Sequence, residues 1–525
     1  MLTLEQMTPE QKLGRVLCCR RLNDQDDIDF TLELVKNNAC GAIQMIYDAE
    51  KRTKLIKAFR EAADYPLIIV NDMEQGYPAS KLPKLQLGTL AAANNPEYVR
   101  LFAAAIAKEA KEDGFNGCWG PVEDIATKAT VRLAGATPEA VLDVTREINR
   151  VFAGYRFHAT AKHYPGGWCK RPIDSHMAAP HAHQTKEELL ETSLVPYMQL
   201  MQEGLLPSIM VGHWIYDNID PGIPASLSKK VLDIIRQQGF DGVIYSDSFA
   251  MISILQTFGE KQAYAMSLMA GVDILLPNYK TPTREVYEMM LQSYREGLIT
   301  NERLDEAVRR VMALEQYCAQ KAPDPLPVPD NMEQILDMAA RDCITADCDV
   351  GIPTAIDPAV KRLFVVEVPI DYREGQVAEE VQIVASYNPD LTIQAIKEYF
   401  PGSEIGLLPE FPNGQEVDRV LRAATRYNEV VFVSFCGLAP YTGGGGMTRR
   451  IEAVINALSL PGKLKALVHF GSPQAVETLW PISRIIYGYN APASQKYAFE
   501  VLAGKYPAKG KNPYAGLYTK MSVFE

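Results

Sequence analysis

The sequence predicts an α/β protein: a (β/α)8 TIM-type barrel followed by an α/β sandwich domain. Three observations predict it. Seven apolar runs of strand length (40–46, 66–70, 116–119, 160–163, 208–212, 242–245 and 272–276) alternate with amphipathic helical stretches. Runs without polar alternation suit parallel strands covered on both faces by helices. Polar residues then stand where these runs finish: Asn71 and Asp72, Glu123 and Asp124, Lys162 and His163, His213, Ser246 and Asp247. Barrel strands converge on the axis at their carboxyl ends, where a mouth of polar groups is expected. Helix capping by Asp and Ser would explain one or two of these positions, not all of them. Finally, Pro323, Pro325, Pro327 and Pro329 exclude helix and central strand and read as an extended connector.

The expected boundaries are a barrel over 1–320, a Pro-rich linker over 321–332 and a sandwich over 333–525. Ahead of the first run, MLTLEQMTPEQKLGRVL reads as the start of an amphipathic helix, with Thr8-Pro9-Glu10 at its cap. Beyond the linker, 362–368, 404–408, 429–435, 465–470 and 484–489 are candidate strands separated by helices. They predict a five-stranded, mostly parallel sheet. A glycine run from Gly443 to Gly446 lacks the Lys-Ser/Thr of a phosphate-binding loop and is expected to be a flexible connection.

A chain of 525 residues is too long for one ordinary core, which agrees with two domains. Its 47% hydrophobic and 22% charged residues are those of a globular protein. A net charge of −12 argues against nucleic acid or an anionic membrane as partner. Nine cysteines, scattered and odd in number, fit reduced thiols better than a disulfide framework. The N-terminus lacks the apolar core of a signal peptide, and no run is long enough to span a bilayer. A cytoplasmic protein acting on small molecules is the expectation, with no oligomeric state assigned.

The stretch KHYPGGWCKRPIDSH (162–176) carries the clearest chemistry. It leaves a strand at Lys162 and His163, breaks at Pro165-Gly166-Gly167, and ends in Asp174-Ser175-His176. A carboxylate two residues before an imidazole can fix its tautomer and favour its protonated form. The pair His181 and His183 has metal-ligand spacing and raises a metal-dependent barrel hydrolase as an alternative. Those histidines follow Pro180 and lead into the helix start Thr185-Lys-Glu-Glu, not a strand end, so no metal and no other cofactor is expected.

In this order along the chain the motifs resemble glycoside hydrolase family 3, and most closely its β-N-acetylglucosaminidase branch. PLIIVNDMEQG (66–76) is similar to the strand ending in the family's sugar-binding Asp. GPVEDIA (120–126) resembles its APV-x-D segment, with Arg132 matching an arginine of the sugar subsite. AKHYPG (161–166) matches its Lys-His pair. PASLSKKVLDIIRQQGFDGVIYSDSFAM (224–251) resembles the segment that holds the nucleophile, and AGVDILL (270–276) is also family-like. There are departures. The 167–173 loop is bulkier and more basic than the usual His-Gly-Asp-Thr version. Met73-Glu74-Gln75-Gly76-Tyr77 omits an arginine, and Ser248 stands where a second Asp is common.

The resemblance implies a retaining, exo-acting β-N-acetylglucosaminidase for terminal β-linked N-acetylhexosamine, working through a covalent glycosyl-enzyme. It implies Asp247 as nucleophile, His176 as acid/base and Asp174 as its partner. Asp72, Arg132, Lys162, His163 and His213 would bind the sugar, with Glu74 in support and Trp168 as a possible stacking platform. A phosphorylase, favoured by a neutral histidine acid/base and the basic Lys170 and Arg171, and a β-glucosidase are the alternatives within the family. A sugar-binding sensor is the alternative outside catalysis.

Overall fold

The computed structural model describes residues 2–45, 49–127, 130–167, 175–370, 372, 387–436 and 446–515. Eight parallel strands follow one another in chain order round a single sheet. They are β1 (Cys18–Cys19), β2 (Ala42–Gln44), β3 (Ile68–Asp72), β4 (Gly117–Trp119), β5 (His158–Tyr164), β6 (Ser208–Val211), β7 (Val243–Ser248) and β8 (Ile274–Leu276). A parallel bridge between Leu17 and Leu275, with the Leu275 amide donating to the Val16 carbonyl at 2.8 Å, brings β8 back to β1. The barrel is thereby nearly closed, which leaves no long strand edge to cover.

Alternate residues of the strands form one buried cluster: Ile68 and Val70, Val243 and Tyr245, Ile274 and Leu276, joined by Trp119 and Met210. That two-residue period is what fills a barrel interior. The helices outside are started by side-chain caps and stopped by their own sequence. Thr8 and Gln11 form a reciprocal capping box on Pro9–Arg15, with Pro at the first helical position. Ser228 caps Lys229–Gln237, whose Val231, Leu232, Ile234 and Ile235 are buried. At the amino end of β8, buried Asp273 meets three arginines: Arg236 at 2.6 Å, Arg303 at 2.7 Å and Arg310 at 3.4 Å. The Ile244 amide donates to the same carboxylate at 3.0 Å.

A second sheet has six strands: β9 (Thr345–Cys348), β10 (Leu363–Val368), β11 (Glu404–Pro409), β12 (Val430–Cys436), β13 (Leu464–Gly471) and β14 (Arg484–Tyr489). Their order is β9-β14-β13-β12-β10-β11, and only β9 runs antiparallel. The sequence expectation of five strands omitted β9, a short edge strand whose residues are largely accessible and give no apolar run. It also omitted β1, which is two residues long and has no period to read.

By packing, one compact unit comprises Met1–Lys81, Val99–Ile125 and Val141–Asp330, and the other Leu82–Tyr98, Ala126–Ala140 and Asn331–Glu525. The Pro-rich segment is anchored within the first unit. Its Asp324 amide donates to the Gly154 carbonyl at 3.2 Å, and the Tyr155 hydroxyl donates to the Leu326 carbonyl. A side chain at position 154 would meet the Asp324 carbonyl at 2.4 Å, so glycine is required for this approach. Among the described residues no helix is long and apolar enough to cross a membrane. The glycine run of the second domain lies outside the described residues, except for Gly446.

Candidate active site

Polar side chains gather at the carboxyl ends of β3, β5 and β7 and on the segment after β4. Lys162, buried near the end of β5, reaches Asp72 Oδ1 at 2.7 Å and Glu74 Oε1 at 2.5 Å. Its neighbour His163 takes a different partner: Asp124 accepts from the His163 backbone amide at 3.0 Å and faces its Nδ1 at 2.8 Å. Consecutive side chains of a regular strand point to opposite faces. Here the ladder to β6 shifts register between Lys162 and Tyr164, and the side chains of Lys162 and His163 both meet carboxylates of the mouth.

Because Asp124 accepts at Nδ1, that nitrogen carries the proton, leaving His163 Nε2 facing Asp247 Oδ2 across 4.0 Å. Asp247, near the end of β7, is one-fifth exposed. Burial pushes its carboxyl up, but His163, the Ser248 amide at 2.6 Å and Lys162 outweigh burial. The net effect is a carboxyl held below its ordinary value and ionised at neutral pH.

His213 lies buried just beyond β6, and burial lowers its pKa, so the ring is neutral. Its Nε2 donates to the Ser248 carbonyl at 3.1 Å, which leaves Nδ1 to accept from the Ser226 hydroxyl at 2.7 Å. Both ring nitrogens of His213, expected to bind the sugar, are thus engaged by neighbouring protein groups, one of them the carbonyl of Ser248 on β7.

His176 is half-buried, close enough to His213 to disfavour its protonation, and the preceding Ser175 carbonyl accepts from Ser253 Oγ at 3.3 Å. Ser253 belongs to the helix that follows Asp247, so the turn carrying His176 is docked beside the connection that leaves β7. Asp174, Trp168, Lys170 and Arg171 lie outside the described residues. Arg132 sits on the segment that packs with the second unit. Its turn is held there by buried Tyr514, whose hydroxyl donates to the Thr130 and Leu133 carbonyls at 2.7 and 2.9 Å.

The sequence reading left three participants unassigned. Asp124 stood at a strand end, yet its pairing with His163 had no local signal. Glu123 was visible in the same way, but not its state: fully buried, with Thr145 donating at 2.6 Å and Asn149 at 3.2 Å, it is pushed by burial up to about 8. Arg20, at the end of β1, escaped notice because that strand did. His181 and His183 both face Asp217, at 3.0 and 3.4 Å. Among the described residues no group of three or more metal-ligating side chains is placed to hold a metal ion.

Residues 10–314 match the glycosyl hydrolase family 3 N terminal domain. The chain belongs to glycosyl hydrolase family 3. It is accordingly a glycoside hydrolase, and its barrel spans the matched residues. A β-N-acetylglucosaminidase/β-glucosidase of Cellulomonas fimi is 26% identical over 427 residues, covering 74% of this chain and 75% of that protein. A β-hexosaminidase of Tolumonas auensis is 28% identical over 259 residues, 46% of this chain and 77% of that protein. In fold, the family 3 β-N-acetylglucosaminidase of a Paenibacillus species superposes with a TM-score of 0.76 at 22% identity. It covers 97% of this chain and 99% of its own. A β-glucoside phosphorylase superposes with a TM-score of 0.78 at 19% identity, covering 97% and 95%. This family 3 chain thus shares its barrel-plus-sandwich architecture with both.

Proposed function

We propose that this family 3 glycoside hydrolase is a retaining, exo-acting β-N-acetylglucosaminidase. The observation that carries the reading is Asp247: an ionised, partly exposed carboxylate at a barrel strand's carboxyl end, with no cation among the described residues in hydrogen-bond contact to quench it. Such a group is free to attack an anomeric carbon. The names of the Cellulomonas and Tolumonas relatives support N-acetylhexosamine as the sugar.

In this reading Asp72, Lys162 and His163 grip the sugar's hydroxyls through charge-assisted hydrogen bonds, and Arg132 joins them. Asp247 displaces the aglycone and forms the glycosyl-enzyme. His176 gives its proton to the departing oxygen and then takes one from the attacking water, with Asp174 orienting the ring. The protein acts on small glycosides in the cytoplasm.

A panel of nitrophenyl β-glycosides (GlcNAc, GalNAc, Glc, Xyl), with and without phosphate, tests the sugar and the acceptor. The GlcNAc derivative is expected to turn over fastest, with water as acceptor. A preference for the glucoside removes the branch assignment, and a sugar phosphate as product makes the enzyme a phosphorylase. Proton NMR of the first-formed sugar is expected to show the β-anomer; the α-anomer excludes retention. His176→Ala is expected to slow a disaccharide far more than a dinitrophenyl glycoside, with azide restoring turnover of the latter. Equal slowing without azide rescue removes His176 from the acid/base role.

A further inference from the structure

One cation of the barrel mouth has no part in the mechanism above. Arg20, half-buried at the end of β1, reaches across to β2, β7 and the residue after β8. Its Nε donates to Gln44 Oε1 at 2.7 Å, and its Nη1 donates to Ser248 Oγ at 2.6 Å and to the Pro277 carbonyl at 3.0 Å. All three acceptors are neutral, and among the described residues Arg20 forms no ion pair. The guanidinium lies 5.4 Å from the Tyr279 ring centroid, which adds a contact but no countercharge.

Ser248 is the node these contacts meet. Its Oγ accepts from Arg20 and, at 3.3 Å, from the Ala250 amide. Its own amide donates to Asp247 Oδ1 at 2.6 Å, and its carbonyl accepts from His213 Nε2 at 3.1 Å. The orientation of this one residue therefore sets both the carboxylate of Asp247 and the ring of His213.

We propose that Arg20 is a positioning residue for the glycosidase reaction: it locks Ser248, which aims the Asp247 carboxylate, and it keeps an unneutralised cation beside that carboxylate. The inference rests on the reading of Asp247 as nucleophile. A guanidinium stays charged under any working pH, so its field is permanent. Burial disfavours the charge, and the negative groups that favour it include Asp72 and Asp247 of the site itself. A nearby cation holds a carboxylate ionised, and a fixed hydrogen-bond donor holds it in one orientation. Both effects act on the step in which Asp247 attacks, not on how tightly the sugar is held.

The test compares Arg20→Met, Arg20→Lys, Ser248→Ala and Ser248→Asp by kcat, KM, thermal midpoint and the pH profile of kcat/KM on a nitrophenyl β-GlcNAc. Arg20→Met is expected to lower kcat about 10- to 100-fold with KM nearly unchanged. The midpoint of the acid limb is expected to move up by about half a pH unit, because the carboxylate has lost its cation. Arg20→Lys should restore the acid limb but only part of kcat, since it keeps the charge without the fork. Ser248→Ala should lower kcat without moving the limb. Ser248→Asp gives Arg20 a countercharge and should move the limb up as Arg20→Met does; it carries the test if that variant does not fold. Losses that follow only the thermal midpoint, or an acid limb unmoved in both Arg20→Met and Ser248→Asp, overturn the proposal. Trapping the wild-type enzyme with a 5-fluoro glycosyl fluoride and mapping the labelled peptide separates the two readings. Label on Asp247 with an unmoved limb removes Arg20 alone; label elsewhere removes the nucleophile on which it depends.

Discussion

The two ends of the barrel treat an aspartate in opposite ways. At the amino end, Asp273 is fully buried, touched by three arginines and a backbone amide, and every lone pair has a donor. At the carboxyl end, Asp247 is one-fifth exposed, holds a single backbone amide at 2.6 Å, and has its nearest ring nitrogen 4.0 Å away. Both strands are short, parallel and packed in the same way, so the backbone does not make the difference. Asp273 is saturated, and a saturated carboxylate ties helices to strands. Asp247 is held and ionised but not saturated, and an oxygen with spare lone pairs facing solvent can do chemistry.

The largest effect expected from this contrast is at Asp247. Asp247→Asn should lower kcat/KM by on the order of 10³–10⁵-fold, about 4–7 kcal/mol of barrier, while the thermal midpoint stays put or rises. A variant with a tenth of wild-type activity would place the nucleophile elsewhere. Asp273→Asn should do the reverse. Removing the charge leaves Arg236 without a carboxylate partner, while Arg303 and Arg310 keep Glu306 and Asp241, and should destabilise by about 3 kcal/mol in a urea melt. The activity per folded molecule should hold; a specific loss of kcat would dissolve the distinction between the two ends.

Within the mouth the contrast can be sharpened. Asp124→Asn keeps an acceptor for the His163 amide but no longer fixes the ring's tautomer. A loss of about 10- to 100-fold in kcat/KM is expected, with a rise in KM, since His163 is assigned to sugar binding. An unchanged KM would detach His163 from the sugar.

The smallest effect belongs to Glu123, which is near the mouth in sequence but buried like Asp273. Its folded pKa of about 8 lies above the ordinary 4.5, so the folded protein binds a proton that the unfolded chain releases. The stabilisation is complete below about pH 4.5 and is lost as pH rises to about 8. Glu123→Gln cannot ionise, and should shrink the fall in thermal midpoint between about pH 5 and about pH 9 by about 2–4 °C. Activity near neutral pH should change little. An unaltered pH dependence of stability would mean that Glu123 is ionised in the folded protein.

The parts of this molecule that could be read from its sequence are those encoded by neighbours along the chain. The runs that became β2 to β8 are apolar because both faces are covered, and their ends are polar because the mouth is wet; both signals are local. Thr8 and Gln11 announce a helix start within four residues. Cys18–Cys19 gave no such signal, being too short for a period, and Thr345–Cys348 none because an exposed antiparallel edge needs no apolar run. With β1 unread, Arg20 could not be seen as a mouth residue.

Which residues stand at strand ends was therefore determined by the sequence itself, along with the order of the βα units and the family motifs they carry. Their pairing was not. Lys162 finds Asp72 across 90 residues, His163 finds Asp124 across 39, and Arg20 finds Ser248 across 228. Partners so far apart meet only because closing the barrel brings every strand end to one rim. The charge state of each group was likewise decided by the tertiary structure, because it follows from how much water and how many donors surround the group once the rim exists. Glu123 and Asp124 are adjacent in sequence, yet one is buried and protonated while the other faces a histidine in the mouth. No local pattern of residue types distinguishes them; burial does.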